Sequence, residues 1–148
     1  MRRWAGPDDC DYLLTDVAVR SFPHRATSVS DARHFVGKTL NRLPPEISDM
    51  ARLLVSELAT NALLYSAGSF EVSATYWPRQ RVVRIGVTDG GGGEPRVVQP
   101  ATTEEHGRGL QLVATFSDRW WVQRRPRAPG KTVWFELLSG APNPVTGL

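Results

Sequence analysis

The sequence predicts an α+β domain: a two-layer sandwich in which a mixed, mostly antiparallel sheet carries helices on one face. Three observations lead there. Segments of helical and of alternating period follow in the order β-α-α-β-β-loop-α-β-β. Two pairs of neighbouring strand segments are joined by short turns rich in Pro or Gly, which favours antiparallel pairing. The composition is globular, with 41% hydrophobic and 22% charged residues among 148, enough chain for one core without disulfide or metal staples.

Residues 1–15 are polar and irregular and read as a loose N-terminal tail; 139–148, rich in small residues, Gly and Pro, read as a second tail. One domain is expected over 16–138, without internal repeats. Residues 16–22 read as a short strand. Ser30 is placed to N-cap a helix that runs to about Leu43, where Pro44 and Pro45 stop it. A longer helix is expected from about Glu46 to Ser66, with Gly68 near its end. Residues 69–77 and 81–88 alternate as strands across Pro78-Arg79-Gln80. The glycine-rich stretch DGGGGEP follows at 89–95, then a polar segment, 96–106, with no clear element. Residues 108–117 have a helical pattern, and 119–125 and 131–138 read as two strands across a Pro/Gly turn.

Several function classes are excluded early. Eighteen Lys and Arg against fifteen Asp and Glu give a net charge of +3, too small an excess to demand a nucleic-acid partner. A nucleic-acid reading would rest on Arg124, Arg125 and Arg127 beside Trp120 and Trp121, a pattern that fits a strand with a charged edge better. Periodicity leaves open whether Trp77, Trp120 and Trp121 belong to a core or an interface. A single cysteine, Cys10, permits no disulfide framework, and with the scattered His24, His34 and His106 it makes no zinc spacing. No run approaches the ~18 apolar residues of a membrane span, and the first ten residues have no apolar core of a secretory signal. A cytoplasmic protein without a membrane partner is the expectation. Gly130-Lys131-Thr132 lacks the first glycine of a P-loop, and a strand follows it rather than a helix. The dinucleotide fingerprint fails at Leu112, where its third glycine would stand.

The long helix carries an anomaly. On a wheel of about 100° per residue, Met50, Leu54, Leu58 and Tyr65 share one stripe, and Glu57 and Asn61 fall inside it. Their i, i+4 spacing aims both side chains the same way. A carboxylate and an amide on a core-facing stripe cost on the order of several kcal/mol if unpaired. Either they form a satisfied pair, or the helix is turned to expose them, or a wet pocket lies against the helix. In a pocket the carboxylate can accept a proton from a hydroxyl or water, and the amide oxygen suits Mg²⁺, which borrows most of its ligands from phosphates and water. Asp89 ends an apolar strand and precedes four glycines; this fits an Asp-Gly turn, or a carboxylate placed to accept from an amine-bearing heterocycle beside a mobile loop. Gly107-Arg108-Gly109-Leu110 opens a helix, which is either a plain helix start or a place where backbone N–H groups hold phosphate.

Three pieces, E-L-A-T-N at 57–61, D-G-G-G-G-E-P at 89–95 and G-R-G-L at 107–110, resemble in order and spacing the N, G1 and G2 boxes of the GHKL ATPase superfamily. K-T-V-W-F-E-L at 131–137 is similar to the terminal strand of that fold. Chain length, R-S-F-P at 20–23 and A-R-H-F-V at 32–36 resemble the branch of bacterial anti-sigma factor serine/threonine kinases and single-domain relatives. The resemblance spans roughly 16–138. It implies ATP and Mg²⁺ as cofactors. Asn61 matches the Mg²⁺-binding asparagine, and Glu57 the carboxylate that acts as general base on a protein hydroxyl. Asp89 matches the acceptor of the adenine amine. Gly91 and Gly93 match the first glycine box. Gly107 and Gly109 match the second, whose amides cradle phosphate beside Arg108 and Leu110. Thr132 stands in the region where the family places a threonine near adenine. The segment 96–106 becomes a short lid, with Arg96 and Arg108 as its nearest cations.

The function so implied is a serine/threonine protein kinase. It would phosphorylate an anti-sigma-factor antagonist and hold a sigma factor by sequestration, as a homodimer. The alternative is a non-catalytic ATP-binding module that acts through protein association alone.

Overall fold

The computed structural model describes residues 16–91 and 109–139. Strand β1 (Asp16–Phe22) leads into helices α1 (Thr27–Thr39) and α2 (Pro45–Tyr65), then strands β2 (Phe70–Trp77) and β3 (Val82–Asp89). Residues 109–116 are helical and are called α3; β4 (Arg119–Arg124) and β5 (Lys131–Leu138) close the domain. The five strands form one sheet in the order β1-β2-β3-β5-β4. All four pairings are antiparallel. This is the expected two-layer α+β sandwich, with the mostly antiparallel expectation carried through every pairing.

Strand alternation sorts the sheet into two faces. Register places Phe22, Phe70, Val72, Ala74, Val83, Ile85, Val87, Val133, Phe135 and Leu137 on one side. These join Ala32, Val36, Ala51, Leu54, Val55, Leu58 and Ala62 of the two long helices, and Val113 of α3, in a single core. Three rings lock the β1 end: Phe22 stacks on Phe70 at 5.5 Å between centroids and meets Phe35 edge-on at 5.9 Å.

Most expected elements stand within a residue or two of their places, but α1 is displaced. It begins at Thr27, not after Ser30, and ends at Thr39, not Leu43. The physical reason lies in the turn before it. The buried Ser28 donates its hydroxyl to the Pro23 carbonyl at 2.7 Å, and its N–H bonds the Arg25 carbonyl at 3.0 Å. The chain therefore enters the helix directly from the β1 turn, and Ser30 lies exposed inside the first turns. At the far end Leu40 leaves the helix to bury its side chain, and a turn closed by Leu43 N–H on the Leu40 carbonyl precedes Pro44. Helix α2 starts where expected because Pro45 occupies its first position, where the absent N–H goes unmissed. At its other end the exposed His24 Nε2 lies 3.0 Å from the Leu63 carbonyl oxygen and 3.2 Å from that of Ser66, covering two carbonyls of the terminus.

Candidate nucleotide site

Between α2, the start of α3 and the β3-β5-β4 side of the sheet lies a cavity of ≈ 200 Å³. Its apolar walls come from Leu58 and Ala62 of α2, Val87 of β3, Leu110 of α3, Val122 of β4 and Val133 of β5. Its polar groups are Asn61, Tyr65, Asp89, Arg124 and Lys131. A few convergent polar groups in an apolar concavity are what a small-molecule site needs.

The floor is Asp89, 6% exposed at the end of β3. Its Oδ1 accepts the Gly91 N–H at 2.9 Å and its Oδ2 accepts Lys131 Nζ at 3.0 Å. Backbone conformation fixes this corner. Gly91 has φ +77°, and a Cβ there would come within 2.5 Å of the Gly130 nitrogen. Gly130 has φ +111°, and a Cβ there would strike the Asp89 carbonyl. Only glycines let the 89–91 turn and the β4–β5 turn pass this closely. The Gly91 carbonyl in turn accepts the Ala67 N–H at 3.1 Å, tying the corner to the chain leaving α2.

The other end of the site is built where α2 meets α3. Gly109, the first described residue of α3, is buried. A Cβ on it would lie 3.3 Å from Asn61 Nδ2, 3.5 Å from Asn61 Oδ1 and 3.4 Å from Glu57 Oε1. Glu57 and Asn61 thus converge on Gly109. Both are half-buried, on the margin of the α2 stripe whose centre is Ala51, Leu54, Val55, Leu58 and Ala62. Among the described residues neither makes a hydrogen bond or ion pair. Of the three readings of this pair, the satisfied partnership is absent among the described residues; both side chains are half-buried, and Asn61 lines the cavity.

The sequence-derived residues divide as follows. Glu57, Asn61, Gly109 and Leu110 meet at one end, and Asp89 and Gly91 at the other. Gly93, Gly107, Arg108 and the 96–106 lid with Arg96 lie outside the described residues. Thr132 is brought elsewhere: it is buried on the opposite face of the sheet, where its hydroxyl lies 2.7 Å from that of Thr88. The reason is parity. Val133, Phe135 and Leu137 face the helices, so Thr132 must face away and Lys131 takes the cavity-facing place. Lys131 was missed by sequence reasoning, as were Tyr65, Val122 and Arg124. For Lys131 the signal was present in the apolar alternation of β5.

The model of one protein family, the histidine kinase-like ATPase domain, matches residues 22–137, most of the chain. The chain belongs to that family. It is therefore an ATP-binding domain of kinase-like or ATPase character. No curated protein matches the chain.

The cleft fits the nucleotide that membership implies. Apolar walls suit a purine, a buried carboxylate at the floor suits its amine, and Gly109 of α3 lies against Glu57 and Asn61, which have no partner among the described residues. Among the described residues no group of three or more His, Cys, Asp or Glu is gathered to hold a metal. A Mg²⁺ here would take Asn61 and draw its remaining ligands from phosphates and water. Among the described residues no helix is long and apolar enough to cross a membrane.

Proposed function

We propose that this domain is a serine/threonine protein kinase of the anti-sigma-factor type. In this reading it phosphorylates a Ser or Thr on an anti-sigma-factor antagonist and otherwise sequesters a sigma factor, as a cytoplasmic homodimer. The observation that carries the catalytic part is the convergence of Glu57 and Asn61 on Gly109. A bound ATP–Mg²⁺ supplies the transferable phosphoryl group and the charge that neutralises it.

The chain's own residues supply the rest. Asp89 orients the base by accepting from its amine, and the glycine turn at 89–91 fixes that carboxylate. The carboxamide oxygen of Asn61 offers one ligand to the metal. Glu57, one helical turn before Asn61, is placed to accept the proton of an incoming hydroxyl, so that the oxygen becomes a nucleophile as it attacks. The two roles are separable because the side chains reach the same spot from different turns of α2. The absence of any bonded partner for Glu57 among the described residues leaves its carboxylate available for that proton.

Incubation with labelled ATP, Mg²⁺ and candidate antagonist proteins tests the reading. Wild type transfers label to a Ser or Thr of one of them. Glu57→Ala lowers transfer by about 10²–10⁴-fold, the range of a positioned general base, while nucleotide affinity stays within a few-fold. Equal transfer by Glu57→Ala removes Glu57 as base. Nucleotide binding with no transfer to any partner favours a purely associative regulator.

A further inference from the structure

The cavity floor carries a group that the nucleotide reading leaves unused. Asp89 and Lys131 are register partners on β3 and β5, and both side chains face the cavity. The ammonium stands 3.0 Å from Asp89 Oδ2. Lys131 is held there: its neighbour Gly130 is locked by φ +111°, and its cross-strand partner on the other side is Arg124.

Hydrogen-bonding capacity at this pair is only half used. A carboxylate has about four acceptor sites, and two are taken, by Gly91 N–H and by Lys131. An ammonium has three donors, of which one is spent on Asp89; among the described residues the others have no partner. The floor therefore presents an acceptor and a donor side by side to whatever enters. The edge of adenine presents the complement: its exocyclic amine donates and the adjacent ring nitrogen N1 accepts. Reading a base by its Watson–Crick edge needs such a matched pair.

We propose that Lys131 is a second base-contacting residue of this site, donating to N1 of adenine while Asp89 accepts from the amine. The inference rests on the assignment of the cavity to an adenine nucleotide. It gives Lys131 a binding role beyond its ion pair. The ammonium stays on Asp89 and uses a second N–H for the ring, so both groups are aligned before the ligand arrives. Thr132 cannot do this work, because it lies on the other side of the sheet.

A chemical double-mutant cycle tests it, by calorimetry on the full chain with Mg²⁺. The ligands are ADP and 1-deaza-ADP, in which CH replaces N1. Wild type binds 1-deaza-ADP about tenfold more weakly than ADP, the loss expected for one charge-assisted hydrogen bond. Lys131→Met weakens ADP by a similar factor and leaves 1-deaza-ADP unchanged, so the two losses do not add. Lys131→Gln, which keeps a neutral N–H donor, recovers part of the ADP affinity; thermal unfolding checks that both variants fold. Tighter or unchanged ADP binding by Lys131→Met overturns the proposal and makes the ammonium a competitor for Asp89. Equal weakening of both ligands by that variant also overturns it, because N1 is then not the atom contacted. If wild type binds no ADP while its fold is intact, the nucleotide assignment itself has failed, and the proposal falls with it.

Discussion

On the helix side of the sheet, α1 and α2 cover Val72, Ala74, Ile85 and Phe135, and the space they leave over β3 and β5 is the cavity above Asp89. On the opposite side, side chains of the sheet lie over one another. Arg84 places its guanidinium 4.9 Å from the ring of Trp77, 5.3 Å from Trp121 and 5.9 Å from Trp134. Trp134 lies flat over Gly86, where an added Cβ would meet the indole at 2.5 Å. Trp77 is only 3% exposed on this face, where no long helix is packed among the described residues.

The polar groups of the two sides differ in the same way. On the Trp side, Glu136 takes Arg84 at 2.7 Å and Arg119 at 3.7 Å, Trp134 Nε1 donates to Gln123 at 2.9 Å, and Thr88 bonds Thr132. On the helix side, Glu57 and Asn61 have no partner among the described residues and Asp89 retains acceptor capacity. Buried polar groups in folded proteins are satisfied as a rule. Glu136, Trp134 and Thr132 are therefore structural, and the helix side, where Asp89, Glu57 and Asn61 keep spare hydrogen-bonding capacity, is the one that waits for a ligand.

Three substitutions sharpen or break that contrast. The largest effect is expected for Arg84→Met, which strands the buried Glu136 with a long contact to Arg119 alone. Loss of one partner from a buried pair costs about 3 kcal/mol, so Tm falls by roughly 10 °C in a calorimetric scan while the folded protein keeps its ADP affinity. A large loss of ADP affinity in folded Arg84→Met protein would show the two faces to be coupled. Next is Gly109→Ala. The methyl group presses on Asn61 and Glu57, and ADP affinity falls about tenfold, ~1.4 kcal/mol, while thermal stability changes little because Ala favours the helix it joins. Unchanged affinity would place the phosphates away from α3. The smallest effect is expected for Val19→Thr. Val17 and Val19 are 60% and 55% exposed at the β1 edge of the Trp side, beyond the indole layer. Stability by denaturant titration stays within about 0.5 kcal/mol. A larger loss would mean that this margin is covered in solution, and a change of oligomeric state by light scattering would identify a second copy as the cover.

Much of this was legible along the chain, but unevenly. Helix α2 was readable to within a residue because Pro45 and the apolar spacing are local signals. The Glu57/Asn61 anomaly was readable because i, i+4 geometry is local too. The start of α1 was not, since it has no side-chain cap to read, and its place at Thr27 follows from the turn in which Ser28 bonds the Pro23 carbonyl. Thr132 was misplaced for a comparable reason: a motif match gives a region, whereas the face is set by strand parity, and a one-residue difference sends the side chain through the sheet.

The sequence by itself determined the order of elements, the two glycine turns and the polar pair on α2, because period, turn chemistry and helical spacing are properties of neighbouring residues. The tertiary structure decided what those pieces face. It brought Gly109 against Glu57 and Asn61, set Lys131 on Asp89 from 42 residues away, and gathered three tryptophans around Arg84. Such contacts depend on register and on how the helices lie across the sheet, and chain order alone specifies neither.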